Sequence, residues 1–353
     1  GQEVEWIEWK HQNGGAANTV KEDGHYYLSA DVLGITDQIR IGLSDGSVAP
    51  HVVLDLNGHT MKSGKRVFAV YTQATLSIMD SVGGGEIQGA QIDAHQNGGV
   101  IRVDGGSTLN LYSGTITDVA TEAHKGYGGA IAAEGGTVNI YGGTFLGCEE
   151  GFAKGGRSVV YASSGNVVNI YGGNVKALAA DKTSYANKTE GVYAALNVAD
   201  NNGMINVYGG SFYKQNPAAP GTEPSTWNAA HPNGFVAEGL GTAVRDGYYV
   251  VVPQVVADLD NVTEATEVKF TEDLNVTSNT TIHTQKATAA ITIDGNGKSV
   301  VSTAESADDF QWEGQFPAMS TIFSSVNGAK VTVSNLSFEG TMSALMLGHY
   351  VDT

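Results

Sequence analysis

The chain has 353 residues, enough for a large core, and a formal charge of −18 from 37 acidic and 19 basic side chains. That balance argues against nucleic acid and anionic membranes as partners, because phosphate recognition draws on Lys and Arg. One cysteine, Cys148, excludes an intramolecular disulfide, no Cys/His set has zinc-ligand spacing, and no apolar run is long enough for membrane insertion.

Glycine is abundant, with 47 Gly against 7 Pro, while apolar residues stay at 41%. This combination fits a packed chain with many tight corners. Residues 1–24 stand outside the repeat that follows. Trp6, Ile7 and Trp9 cluster there, and the segment is expected to cap the N-terminal end, since an open coil exposes its core and its pairable strand edges. A second reading makes Trp6 and Trp9 a sugar-stacking platform. The opening Gly1-Gln2-Glu3 reads as a trimmed start from which a signal peptide has been removed, so a secreted or cell-surface location is expected.

Residues 25–253 are predicted to form the main body. Its central phrase recurs as Leu109-Asn-Leu-Tyr-Ser-Gly-Thr-Ile116, Val138-Asn-Ile-Tyr-Gly-Gly-Thr-Phe145, Val168-Asn-Ile-Tyr-Gly-Gly-Asn-Val175 and Ile205-Asn-Val-Tyr-Gly-Gly-Ser-Phe212. The shared Asn falls at 110, 139, 169 and 206, a drifting period of the kind solenoids show. Apolar residues alternate with Asn and Tyr, the period of a strand buried on one face. The glycines that follow allow a sharp corner, and the next apolar residue restarts an inward-facing strand. Val100-Ile-Arg-Val aligns with Val67-Phe-Ala-Val and with Ala130-Ile-Ala-Ala, and Ser77 takes the Asn position one coil earlier. Each coil therefore contains an apolar strand, a Gly-rich corner, the Asn/Tyr strand, a second Gly corner and a longer loop.

Those loops, at about 119–128, 148–157, 177–193 and 214–233, enter at equivalent places and lengthen along the chain. Equivalent insertions emerge from one side of a solenoid, often the binding side. Tyr127, Arg157, Tyr185, Trp227 and His231 are the binding candidates there, and passive surface loops are the competing reading. Residues 254–353 are expected to form a second, shorter β-helical module, because Ile291-Thr-Ile-Asp-Gly-Asn-Gly297 echoes Val53-Leu-Asp-Leu-Asn-Gly58.

These residues resemble the right-handed parallel β-helix of the pectate-lyase-like superfamily. His51-Val-Val-Leu-Asp-Leu-Asn-Gly-His-Thr60 followed by Ala74-Thr-Leu-Ser-Ile-Met-Asp-Ser81 is similar in particular to the opening coils of secreted bacterial surface β-helices. The resemblance implies an all-β solenoid and a carbohydrate setting, without supplying a site.

Catalysis on such a fold needs carboxylates brought together across coils. Asp118 aligns with Gly147, Ala177 and Lys214, which is no acid ladder. Asp118, Glu122, Glu149 and Glu150 are the weak catalytic candidates that remain. Asp104 aligns with Glu134, then with Ser164 and Asn201. Two carboxylates about 4.8 Å apart could hold a cation, so Asp104 and Glu134 are the metal candidates and calcium the ion they would suit. An exposed polar corner is the competing reading, and no cofactor is otherwise called for. The Asn110, Asn139, Asn169, Asn206 and Tyr112, Tyr141, Tyr171, Tyr208 columns read first as structural ladders. Stacked aromatics could also bind sugar rings through their faces. The expected function is a non-catalytic extracellular bacterial surface module, a glycan- or host-surface-binding adhesin or a rigid spacer. The alternative is a polysaccharide lyase or glycoside hydrolase acting among the loops. Oligomeric state has no signature in the sequence.

Overall fold

The computed structural model describes residues 4–10, 18–90, 97–119, 128–147, 158–176, 194–199, 202–213, 215–219, 234–262, 264–276, 290–302 and 331–339. The chain divides into two compact units. The first comprises residues 1–237 and 247–249, the second residues 238–246 and 250–353.

The first unit is a parallel β-helix. Each coil gives one strand to each of three sheets, as Ile131–Glu134, Thr137–Ile140 and Thr144–Leu146 do in one turn. The ladder sheet has eight strands, from Trp6–Glu8 to Met204–Val207. A second sheet has seven, from Thr19–Val20 to Ala194–Val198. The third runs in parallel from Val32–Ile35 to Ser211–Tyr213. The period-two alternation puts one side of every strand inside. Leu109, Val138, Val168 and Ile205 form one inward column, and Ile116, Phe145, Val175 and Phe212 another, none more than 3% exposed. Each such side chain contributes about 1.5–3 kcal/mol by leaving water.

Within the segment expected to be a cap, Trp6–Glu8 adds a parallel rung beside Gly24–Tyr27. Trp9 is buried and packs edge-on against Tyr26 and Phe68, at 5.3 and 6.3 Å between ring centroids. It therefore belongs to the core and not to a platform shared with Trp6.

The Gly-Gly corner leaves the ladder sheet for two separate reasons. Gly143, Gly173 and Gly210 have φ of 95°, 96° and 98°, a region side chains other than glycine rarely adopt. Gly142, Gly172 and Gly209 are needed for space. A Cβ there would lie 2.5, 2.5 and 2.3 Å from the carbonyl oxygens of Tyr112, Tyr141 and Tyr171 one coil below. Ser113 occupies that position in the first copy, where Met79-Asp80 forms the preceding coil, and its hydroxyl donates to the Asp80 carbonyl.

The second unit also stacks parallel strands. Ile291–Ser302 bends through Asn296 and Gly297, with φ of 52° and 74°, and pairs by its first half with Thr266–Lys269 and by its second with Leu274–Val276. Val331–Glu339 bends at Asn335 and follows both halves. The echo between Asp55-Leu-Asn-Gly58 and Asp294-Gly-Asn-Gly297 is the same corner. Asp55 and Asp294 accept from the backbone N–H of Asn57 and Asn296 at 2.8 and 2.9 Å. The amides of Asn57 and Asn296 in turn donate to the carbonyls of Leu28 and Phe270 on the rung before. The helix Gln254–Asn261 was not anticipated. Pro253 precedes it, with φ −51° and ψ 143°, and Val256, Leu259 and Asp260 fall on its buried side. Arg245 donates to Asp260 at 2.7 Å.

Candidate functional site

The two strand faces that look outward from the first unit's ladder and second sheets differ sharply. On the second sheet the outward row runs Ala69, Arg102, Ala132, Tyr161, Asn197; Arg102 is partly exposed, and the other four are buried at 0, 0, 5 and 7% exposure. The ladder sheet instead presents three columns to solvent. One runs Thr75, Thr108, Thr137, Val167, Met204; the next runs Ser77, Asn110, Asn139, Asn169, Asn206. The third, at the strand ends, runs Met79, Tyr112, Tyr141, Tyr171, Tyr208. None of these residues is charged, in a chain whose formal charge is −18.

The sequence places Asn110, Asn139, Asn169 and Asn206 in one column, and they are register partners. Each side-chain amide donates to the oxygen of the one before. Asn139 gives to Asn110 at 3.0 Å, Asn169 to Asn139 at 2.9 Å and Asn206 to Asn169 at 3.0 Å. Asn110 ends the chain on the Ser77 hydroxyl at 3.2 Å. An asparagine has two amide hydrogens, and the ladder takes one from each.

Tyr112, Tyr141, Tyr171 and Tyr208 form the aromatic column. Successive ring centroids are 4.9, 5.1 and 5.0 Å apart, with planes within 7°, 8° and 9° of parallel. The rings are 50, 44, 45 and 44% exposed. Their faces lie against one another, so a sugar cannot stack on the inner ones. What they offer solvent is a row of ring edges and hydroxyls, one per coil. Beside them the glycine corner is free of side chains over three coils. Beyond it stands the short, uncharged column Thr115, Thr144, Asn174, Ser211.

Asp104 and Glu134 are register partners on adjacent coils, as the alignment expects. On the following coils the register takes this row to Ser163 and Ala199, not to Ser164 and Asn201, because the corner changes length. The two acids sit in a network of opposite charges and amides. Arg102 donates to Asp104 from Nε at 2.9 Å and from a terminal nitrogen at 2.6 Å. Asn97 donates to Glu134 at 2.5 Å. Behind them Arg66 is 2% exposed and donates to the carbonyls of Gly98 and Asn97 and to Gln38, at 2.8, 2.7 and 3.0 Å. Burial, and then the neighbouring Arg102, lower its pKa to about 10, against the pull of Asp104, Tyr71 and Glu134. Three acceptors on a buried guanidinium make a brace between coils rather than a base presented to substrate. Among the described residues no group of three or more His, Cys, Asp or Glu could hold a metal ion.

Asp118 faces inward and is 1% exposed, opposite Gly89 in register. Glu122, Tyr127, Glu149, Glu150, Arg157, Tyr185, Trp227 and His231 lie outside the described residues. Among the described residues no helix is long and apolar enough to cross a membrane. Comparison with family models, curated proteins and solved structures returned no match to this chain.

Proposed function

We propose that the chain is a non-catalytic, extracellular bacterial surface module, related to the pectate-lyase-like β-helices, that binds glycan or a glycan-bearing host surface as an adhesin. The observation that carries this reading is the uncharged, solvent-facing tyrosine–asparagine ladder, four coils long and regular to within 0.2 Å in its ring spacing of 4.9–5.1 Å. Internal stability alone would be served by apolar or buried ladders. Exposed tyrosines joined to hydrogen-bonding side chains are the surface that hydroxyl-rich ligands use, since each offers an apolar body with a polar tip. The candidate carboxylates among the described residues support binding over hydrolysis. Asp104 is ion-paired, Glu134 accepts from an amide and Asp118 is buried.

The second reading is a polysaccharide lyase or glycoside hydrolase. It would draw on the corner where Asp104 and Glu134 are register partners on adjacent coils, since such chemistry requires carboxylates brought together. Incubation with a panel of neutral and acidic polysaccharides, with and without calcium, separates the two. Retardation in affinity gels without unsaturated products or new reducing ends is the expected result. Cleavage would overturn the binding reading in favour of the enzyme. Silence throughout would overturn it in favour of a rigid spacer.

A further inference from the structure

Resting on that reading, we infer that the ligand is a neutral polysaccharide in an extended, β-linked conformation. It lies along the solenoid axis with one sugar residue over each of Tyr112, Tyr141, Tyr171 and Tyr208. Three observations converge on this ligand. The first is the repeat. The receptor presents the same phenol and amide pair at steps of 4.9, 5.1 and 5.0 Å. An extended β-linked glycan advances by roughly one strand spacing per sugar, so each sugar of such a chain meets one rung, with alternate sugars presenting opposite edges to the row. Helical α-linked glycans turn away from a straight row.

The second observation is charge. The three outward columns of this face contain no Asp, Glu, Lys or Arg over five coils. Among the described residues of these columns there is no cation to receive a uronate, sulfate or sialate, and the formal charge of −18 repels all three. The third is the mode of contact. The inner ring faces are covered by their neighbours, so the ligand is held at the ring edges by tyrosine hydroxyls and by the second amide hydrogen of each asparagine. The glycine corner at residues 142–143, 172–173 and 209–210 leaves a ledge without side chains beside the tyrosines. Among the described residues that ledge leaves the row open to a sugar chain from that side.

A periodic site makes affinity depend on ligand length, because each rung after the first is met intramolecularly. The test is a titration of the full chain with cello- and chito-oligosaccharides of increasing length. Malto-oligosaccharides and oligogalacturonates of the same lengths serve as comparisons. The dissociation constant should fall about fivefold per added sugar, the worth of one net hydrogen bond. The gain should stop at about four sugars, the number of tyrosine rungs, and the comparison series should bind at least about tenfold more weakly. Tyr141→Phe with Tyr171→Phe keeps the stack and removes two hydroxyls. It should leave the melting temperature unchanged and abolish the gain beyond the first rungs. Binding without length dependence, or preference for the uronates, would overturn the axial, neutral-glycan inference while leaving a binding module. Failure of every glycan, here and in the panel above, would overturn both.

Discussion

The tyrosine column makes a quantitative demand that no isolated surface residue would. Tyr141 and Tyr171 each stack on two neighbours, whereas among the described residues Tyr208 stacks on Tyr171 alone and faces Ala237 on the next coil. An aromatic pair contributes about 0.5–1.5 kcal/mol beyond its buried area. These rings are 44–50% exposed, which places each contact toward the lower end of that range. Tyrosine to alanine also loses strand propensity and packing, but those losses are alike at equivalent positions and cancel in the comparison. Tyr171→Ala should therefore cost about 0.5–1 kcal/mol more than Tyr208→Ala. In a unit of this size that is a further fall of about 1–4 °C in melting temperature. Denaturant titration of the four single variants and two double variants is the assay. The Tyr141/Tyr171 pair, in contact, should show a coupling energy of about 0.5–1.5 kcal/mol, and the distant Tyr112/Tyr208 pair about zero. Equal costs at all four positions, with no coupling at either pair, would refute the stacked-ladder account.

Three other predictions test the parts that position the ladder. Gly173→Ala combines φ +96° with a Cβ 2.9 Å from the Gly143 carbonyl oxygen, whereas Gly165→Ala meets nothing within 4 Å. By denaturant titration the first should cost about 2–4 kcal/mol and the second about 1 kcal/mol, from backbone strain alone. Arg66→Ala strands the acceptors at Gly98, Asn97 and Gln38 and leaves a cavity. A loss of about 3 kcal/mol is expected, and a loss below about 1 kcal/mol by calorimetry would contradict the brace. Asp294 is held below the ordinary carboxylate range by the Asn296 N–H, then by the Asn335 amide and Lys269. A depressed folded-state pKa means its stabilisation is present above the ordinary Asp value and is lost as pH falls through the folded one. Asp294→Asn should flatten the acid limb of a melting-temperature profile, and an unchanged limb would count against the corner.

Much of this architecture was legible because solenoid chemistry is written locally. Asn139 pairs with Asn110, and Ile101 with Phe68 and Ile131, in the register the repeated phrases imply. The reason is physical: a one-residue slip would turn every inward Leu, Ile and Val toward water. The same rule puts Asp118, a weak catalytic candidate by sequence, inside with Ile116 two residues before it. Corner lengths were harder to read. The row after Glu134 moves to Ser163 because a polar corner tolerates one residue more or fewer without disturbing the core. The helix Gln254–Asn261 is short and follows directly on the strand Tyr248–Pro253, whose apolar Val-Val run continues into it. Its signals were Pro253 at its start and the helical spacing of Val256, Leu259 and Asp260. The direction of the tyrosine faces was not legible at all. A column of Tyr at strand spacing fits rings stacked along the axis as well as rings laid flat on the surface, and only the ring planes distinguish them.

The most direct measurement is a chemical footprint of the ladder itself. Exposed tyrosines are nitrated at a ring edge, and the extent at each position is read by mass spectrometry, with and without a saturating neutral polysaccharide from the binding panel. The account predicts protection of Tyr112, Tyr141, Tyr171 and Tyr208 together, with Tyr27 and Tyr213 unchanged. Unchanged nitration along the column in the presence of bound glycan would contradict it and move the binding surface elsewhere on the molecule.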